Sequence, residues 1–208
     1  MTIRLYHGEA TRSARILWLL AELGLEHETV RMTLAEVIQS VEFRQTNTLG
    51  RVPFLIDGPI RMMESLAIMQ HLAETRDTQA RLWVRPGEPE RPEFLQWLQF
   101  AETIAVHVQN LNQQCNVLQP PKIRSAVTIK VETRRLEKTI SIIEDRLSDR
   151  EYLLERGFTI ADIAMAYSVF AGGMFTSLAP FPAVNAWLER LRLRPACGDA
   201  LSGSLMTG

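Results

Sequence analysis

Cysteine is scarce in this 208-residue chain, with only Cys115 and Cys197, far apart in sequence. Neither belongs to a Cys-x-x-Cys pair, so a disulfide-stapled scaffold, a dithiol redox centre and a zinc knuckle are all excluded, and both read as reduced structural thiols. Histidine is almost as sparse. His7, His27, His71 and His107 have no partner at metal-ligand spacing, so no metal is expected. An excess of one charge is also missing. Lys and Arg total 23 against 24 Asp and Glu, which argues against a dedicated binder of nucleic acid or anionic membrane. No apolar run approaches the roughly 18 residues of a spanning helix, and Met1-Thr2-Ile3-Arg4-Leu5 leads straight into a strand pattern without a signal-type apolar core. The expected location is cytoplasmic, with neither nucleic acid nor membrane as a partner. There is no internal repeat or low-complexity tract.

What is present is an ordinary globular composition, 46% hydrophobic and 23% charged, enough for a substantial core in one large or two small domains. Residues 2–6 and 28–32 read as short strands. Between them Ile16, Leu20 and Leu23 keep a helical spacing that Gly24 ends, giving a β-α-β unit with a parallel strand pair. A polar, helical stretch is expected around residues 35–45. Residues 53–56 and 60–62 read as strands joined by Asp57-Gly58-Pro59, and Glu64 to Thr75 as a helix with Leu66, Met69 and Ala73 on one stripe. The order β-α-β-α-β-β-α predicts a thioredoxin-like domain over residues 1–77. Residues 78–92, with Pro86, Gly87, Pro89 and Pro92, read as a linker. Residues 93–208 are helical in pattern: Phe94, Trp97, Leu98, Ala101, Ile104, Ala105 and Val108 keep one period, and Ile129, Leu136, Ile140, Ile143 and Leu147 another, with Pro120-Pro121 between. Thr159 and Asp162 form a capping-box pattern with Phe158 and Ile163 as a hydrophobic staple. The tail after Pro195 reads as mobile.

The run Asn47-Thr48-Leu49-Gly50-Arg51-Val52-Pro53-Phe54-Leu55, followed by Met63-Glu64-Ser65-Leu66-Ala67-Ile68, carries the functional signal. Pro53 interrupts strand pairing and tolerates a cis bond, which turns the N–H and C=O of Val52 toward a ligand. Ser65 adds a hydroxyl and free backbone N–H groups at a helix start, a cradle for a carboxylate. Glu64 is placed to hold an ammonium nearby. Together these suit an extended, peptide-like anion.

These motifs resemble those of the glutathione transferase superfamily, whose usual pattern is Asn-Pro-x-Gly-x-Val-Pro-x-Leu and then Glu-Ser-x-Ala-Ile. Leu5-Tyr6, Ser13-Ala14-Arg15-Ile16-Leu17-Trp18 and Glu22-Leu23-Gly24-Leu25 are similar to the family's first strand and helix. Phe158-Thr159-Ile160-Ala161-Asp162-Ile163-Ala164 is similar to its second-domain capping motif. The resemblance spans residues 5 to about 190. It implies an α+β thioredoxin-like N-terminal domain plus an all-α C-terminal domain, a homodimer, glutathione as co-substrate without a metal, and a role in detoxification. The implied reaction is attack of the glutathione thiolate on a small apolar electrophile.

Such a reaction needs a donor beside the sulfur, since a free thiol titrates near ~8.5 and each unit of depression is about 1.4 kcal/mol of thiolate stabilisation. The family commonly places a serine or tyrosine, sometimes a cysteine, between the first strand and first helix. Here Ala10 occupies the position of the serine in the serine-type pattern. Thr11 corresponds to the first serine of a Ser-Arg-Ser variant, Tyr6 to the tyrosine of tyrosine-type members, and Ser13 stands where a helix cap is also expected. All three remain candidate catalytic hydroxyls. Arg51, Val52, Pro53, Glu64 and Ser65 are the implied glutathione contacts, with Arg51 toward the glycyl carboxylate, and Arg12 is a weaker candidate for anion steering. The implied electrophile pocket lies between the domains, lined by the loop near His7 and by the helix carrying His107, Leu111, Gln114 and Cys115. His107 has no carboxylate partner identifiable in the sequence and also reads as a partly buried helix residue. The rival enzymes are a glutathione-dependent dehalogenase, isomerase or peroxidase. The rival outside catalysis is an interaction module that keeps the fold.

Overall fold

The computed structural model describes residues 2–201 and divides into two units, one formed by the chain up to Arg85 together with the segment from Leu193, the other by Pro86–Arg192. The boundary falls inside the expected linker. The C-terminal segment does not stay with the helical unit, as the 93–208 division expected. The last residues of that range, 202–208, lie outside the described residues.

The N-terminal unit is built on a four-stranded sheet in the order β2-β1-β3-β4, with β1 Ile3–His7, β2 His27–Arg31, β3 Phe54–Asp57 and β4 Ile60–Met62. β1 pairs parallel with β2 and antiparallel with β3, and β3 pairs antiparallel with β4. Helix α1, Ala14–Glu22, makes the β-α-β crossover and buries Ile16, Trp18, Leu19 and Leu20. It ends as the sequence predicts: Gly24 takes a φ of 62°, the left-handed conformation glycine adopts at low cost.

The polar stretch before β3 forms two short helices, α2 Leu34–Gln39 and α3 Val41–Thr46, rather than one. Ser40 explains the break. Its backbone is extended and its hydroxyl accepts the Phe43 N–H at 3.1 Å, so it acts as a new N-cap where a continuous helix would need a helical residue. Helix α4, Ser65–Arg76, follows the hairpin and buries Leu66, Met69 and Ala73 as expected.

In the second unit, α5 Arg91–Asn112 and α6 Ala126–Leu147 flank a π-helical turn at Gln113–Val117 and a 3₁₀ turn at Pro121–Ile123. They are followed by α7 Ile160–Gly172 and α8 Pro182–Arg192. Every residue of α7 is buried, which marks it as the unit's central helix. Its start is the predicted capping box: Thr159 N–H donates to Asp162 Oδ2 at 2.9 Å. Asp162 does more than cap, since its Oδ1 also accepts the Leu153 N–H and the Trp187 indole N–H, each at 3.1 Å. Phe158 stacks edge-on against Tyr152 at 5.9 Å. The segment after Pro195, expected to be mobile, forms α9, Pro195–Leu201, within the N-terminal unit. Arg194 anchors it, donating to both carboxylate oxygens of Glu22 at 2.7 Å.

Candidate functional site

The site takes shape where β1 runs into α1. Ser13 stands at the N-cap of α1 but makes no side-chain cap bond. Its hydroxyl turns instead into the preceding turn, 2.7 Å from His7 Nδ1 and 2.6 Å from Thr11 Oγ1, where it also accepts the Gly8 N–H at 3.2 Å. Thr11 Oγ1 donates to the Gly8 carbonyl at 2.7 Å. His7 is buried, and its Nε2 lies 3.5 Å from Glu9 Oε1, which Arg31 holds at 2.6 Å. Burial pushes the His7 imidazole below its ordinary range despite the nearby Glu9 carboxylate, and Arg31 adds to that shift. His7 is therefore neutral at neutral pH.

Gly8 brings this turn against the β3 approach. A Cβ at residue 8 would stand 3.1 Å from Val52 Cγ2 and 3.3 Å from Thr11 Cγ2, so only glycine lets the two side chains come this close without displacement. The Val52-Pro53 bond is cis. The β1–β3 register ends at Tyr6↔Phe54, which leaves the main chain of Val52 beyond the last rung of the ladder. Asn47 fixes the loop before it, donating from Nδ2 to the Arg51 carbonyl at 2.6 Å and accepting the Leu49 N–H at 3.2 Å. The Arg51 side chain is exposed.

At the start of α4, Glu64 holds a φ of 73°. That is a left-handed conformation which costs an ordinary residue of order 1–3 kcal/mol and clusters at functional sites. Ser65 follows it, nearly buried. Arg15, fully buried on α1, donates from Nη1 to Ser65 Oγ at 2.9 Å. Because the guanidinium supplies the proton of that bond, the hydroxyl proton of Ser65 is left to point at an acceptor. The sequence contains Arg15 inside a family-like motif, but nothing in it shows a contact across 50 positions.

Several expected site residues lie elsewhere. Tyr6 packs in a small core with Phe43 and Phe54, ring centroids 5.1 Å and 5.8 Å away. His7 was expected to line an electrophile pocket; it is 2% exposed and belongs behind Thr11 and Ser13 instead. Leu111 is likewise buried, at 1% exposure, and lines no open surface. Gln114 is spent on structure, its Oε1 accepting the Ser125 N–H at 2.8 Å.

His107 has the carboxylate partner that the sequence hid. Its Nδ1 lies 2.8 Å from Glu132 Oε2, which also accepts from Asn110 at 3.2 Å, while Arg135 donates to Oε1 at 2.7 Å. Burial pushes the Glu132 carboxyl up, but the hydrogen bonds from His107, Asn110 and Arg135 outweigh it and hold it below the usual range. Among the described residues no group of three or more His, Cys, Asp or Glu is placed to hold a metal ion, and no helix is long and apolar enough to cross a membrane.

A thioredoxin-like unit carrying a hydroxyl-rich first turn, a cis-proline approach and a charged helix start, followed by a helical unit, defines a class of protein. The chain belongs to the glutathione S-transferase superfamily. It matches the family models for the glutathione S-transferase N-terminal domain over residues 1–74 and the C-terminal domain over residues 115–195. The disulfide-bond oxidoreductase YfcG of Escherichia coli is 30% identical, with 96% of this chain and 94% of that protein covered. Glutathione S-transferase F10 of Arabidopsis thaliana is 28% identical, with 94% of each covered. The solved structure of the glutathione transferase URE2P8 from Phanerochaete chrysosporium with oxidized glutathione is similar at a TM-score of 0.88 and 25% identity, covering 97% of this chain and 94% of that one.

Proposed function

We propose that this chain is a glutathione transferase that binds glutathione along Val52 and the start of α4, and activates its thiol beside Thr11. The observation that carries the reading is the meeting of Thr11 and Val52 across Gly8, with Val52's main chain beyond the paired rungs of the sheet. A γ-glutamyl-cysteinyl-glycine backbone laid against Val52 brings its sulfur to the β1–α1 turn. Its γ-glutamyl carboxylate then reaches the Ser65 hydroxyl that Arg15 has oriented, with the positive end of the α4 dipole adding to the attraction. Glu64 takes the ammonium, and Arg51 supports the glycyl end.

Among the three hydroxyls, Thr11 is favoured as the donor. Tyr6 is committed to aromatic packing and Ser13 is fully buried, whereas Thr11 is partly exposed. The substrate class is a small apolar electrophile. The structure of Ure2p5 from Phanerochaete chrysosporium cocrystallized with 1-(S-glutathionyl)-2,4-dinitrobenzene, 25% identical at a TM-score of 0.82, supports an aryl substitution of this kind. A homodimer, a cytoplasmic location and a role in detoxification are part of the same reading.

The similarity to YfcG favours a second reaction at the same site, attack of the glutathione thiolate on a disulfide. No cysteine lies in the β1–α1 turn, so glutathione itself would supply the attacking sulfur. Retention on immobilised glutathione, followed by parallel assays with an aryl halide and with a low-molecular-weight disulfide, tests both. Retention with aryl-halide turnover is expected. Turnover of the disulfide alone selects the second reaction, retention without turnover makes the chain an interaction module, and no retention defeats the glutathione reading.

A further inference from the structure

Two short polar contacts of the turn form a line: Thr11 Oγ1 to Ser13 Oγ at 2.6 Å, then Ser13 Oγ to His7 Nδ1 at 2.7 Å. Only its outer end is partly exposed; Ser13 and His7 are buried. A buried hydroxyl between a second hydroxyl and an imidazole needs one neighbour to accept its proton and another to donate. Ser13 Oγ also accepts the Gly8 N–H and can donate to the Gly8 carbonyl, each at the longer distance of 3.2 Å, so along the line itself two directions are self-consistent, inward toward His7 or outward toward a ligand.

We propose that His7 is a positioning residue and proton store for the glutathione thiol, reached through the Ser13 and Thr11 hydroxyls. The inference rests on the glutathione reading above and deepens it. In the inward arrangement Thr11 donates to Ser13, Ser13 donates to Nδ1, and Nε2–H faces Glu9. Thr11 then shows a lone pair to the incoming S–H. The thiol proton passes to Thr11 Oγ1, the proton Thr11 held passes to Ser13 Oγ, and the proton Ser13 held passes to His7 Nδ1. One S–H bond is lost and one N–H bond is gained. Both hydroxyls are regenerated, the bonding electron pair stays on sulfur, and no oxidant or reductant takes part. The line now points outward, so the new thiolate accepts the Thr11 O–H, and the imidazolium lies behind it.

The surroundings of His7 suit this role. The charged groups facing it are Glu9 from its own loop and Arg31 from β2, which are bound to each other. Burial keeps the ring unprotonated before glutathione arrives, so Nδ1 is open to the proton, while Glu9 stands at Nε2 to accept from the imidazolium afterwards. In the absence of a thiol the Gly8 carbonyl at 2.7 Å competes for the Thr11 proton, and the ligand displaces that arrangement.

The test counts protons. Calorimetry of glutathione binding at neutral pH in two buffers of different ionisation enthalpy gives the protons released, and ultraviolet difference absorbance of the same complex gives the thiolate formed. The intact protein should form more thiolate than it releases protons. In His7→Asn, where an amide can keep the bond to Ser13 but cannot hold the proton, the thiolate-to-thiol ratio should fall by about tenfold, one unit in the thiol's pKa, and the thiolate that remains should be matched by released protons. If that variant does not fold, Ser13→Ala cuts the same line and should give the same two changes. Thiolate equal to released protons in the intact protein overturns the inference, as does an unchanged thiolate level in a folded variant. Either result with glutathione still bound leaves the functional reading standing, whereas failure of the intact protein to bind glutathione removes both.

Discussion

At the scale of single residues the proposed chemistry rests on Thr11, Ser65, Arg15 and Gly8, and three of them make separate predictions. Thr11→Ala removes the hydroxyl nearest the proposed position of the glutathione sulfur and should raise the bound thiol's pKa by about one unit, roughly 1.4 kcal/mol of lost thiolate stabilisation, while leaving glutathione affinity within a few-fold. Ser65→Ala removes a hydroxyl at a helix start and leaves the buried Arg15 guanidinium without that partner, so glutathione affinity should fall about tenfold or more by calorimetry, beyond any loss of stability. Gly8→Ala is the subtlest. Its Cβ forces Val52 and Thr11 apart by a few tenths of an ångström, so affinity should drop several-fold with little change in the unfolding midpoint. The candidate residues were legible in the sequence because Val52-Pro53 and Glu64-Ser65 are consecutive and chemically distinctive. The contact of Arg15 was not, and His7 was read only as a pocket residue, because their proposed roles arise from contacts set by the crossover and from which way a cap residue turns its hydroxyl. Glu132 was hidden in the same way: its partner His107 lies 25 positions earlier, on another helix.

Among the elements, α7 depends on one carboxylate. Asp162 is fully buried and its pKa is raised to about 6, burial outweighing the hydrogen bonds from Leu153, Thr159 and Trp187. Between 3.8 and about 6 the folded chain therefore holds a proton that the unfolded chain has lost. The stability contributed by this group falls as pH rises through that window and is flat above it. Asp162→Asn does not titrate, so the stability of the intact protein relative to that variant should decline by about 2–3 kcal/mol across the window, measured by urea unfolding at each pH. A difference that stays constant with pH would contradict the assignment. Most elements were readable from periodicity and turn residues: Gly24, the Asp57-Gly58 turn and the Thr159–Asp162 box each mark the end or start they predicted. The stretch at residues 35–45 is helical as expected, and its division in two has a local cause. Ser40 competes as a cap, and a six-residue helix is too short for periodicity to reveal a break.

At the scale of the whole molecule, the fold class was legible because strand and helix periods change at the proline-rich linker. The destination of the C-terminal segment was not, since it depends on the distant pairing of Arg194 with Glu22. That pairing makes a prediction. Cys197 is fully buried on α9, so a thiol reagent should modify the partly exposed Cys115 first. Arg194→Ala should speed modification of Cys197 about tenfold or more, through local opening of α9 rather than global unfolding. The central claim, that the β1–α1 turn activates glutathione, is tested most directly by ultraviolet titration of the thiolate in the protein–glutathione complex. The account predicts a bound thiol that ionises well below the ~8.5 of a free thiol and moves back toward it in Thr11→Ala. A bound thiol that titrates like free glutathione in the intact protein would contradict it.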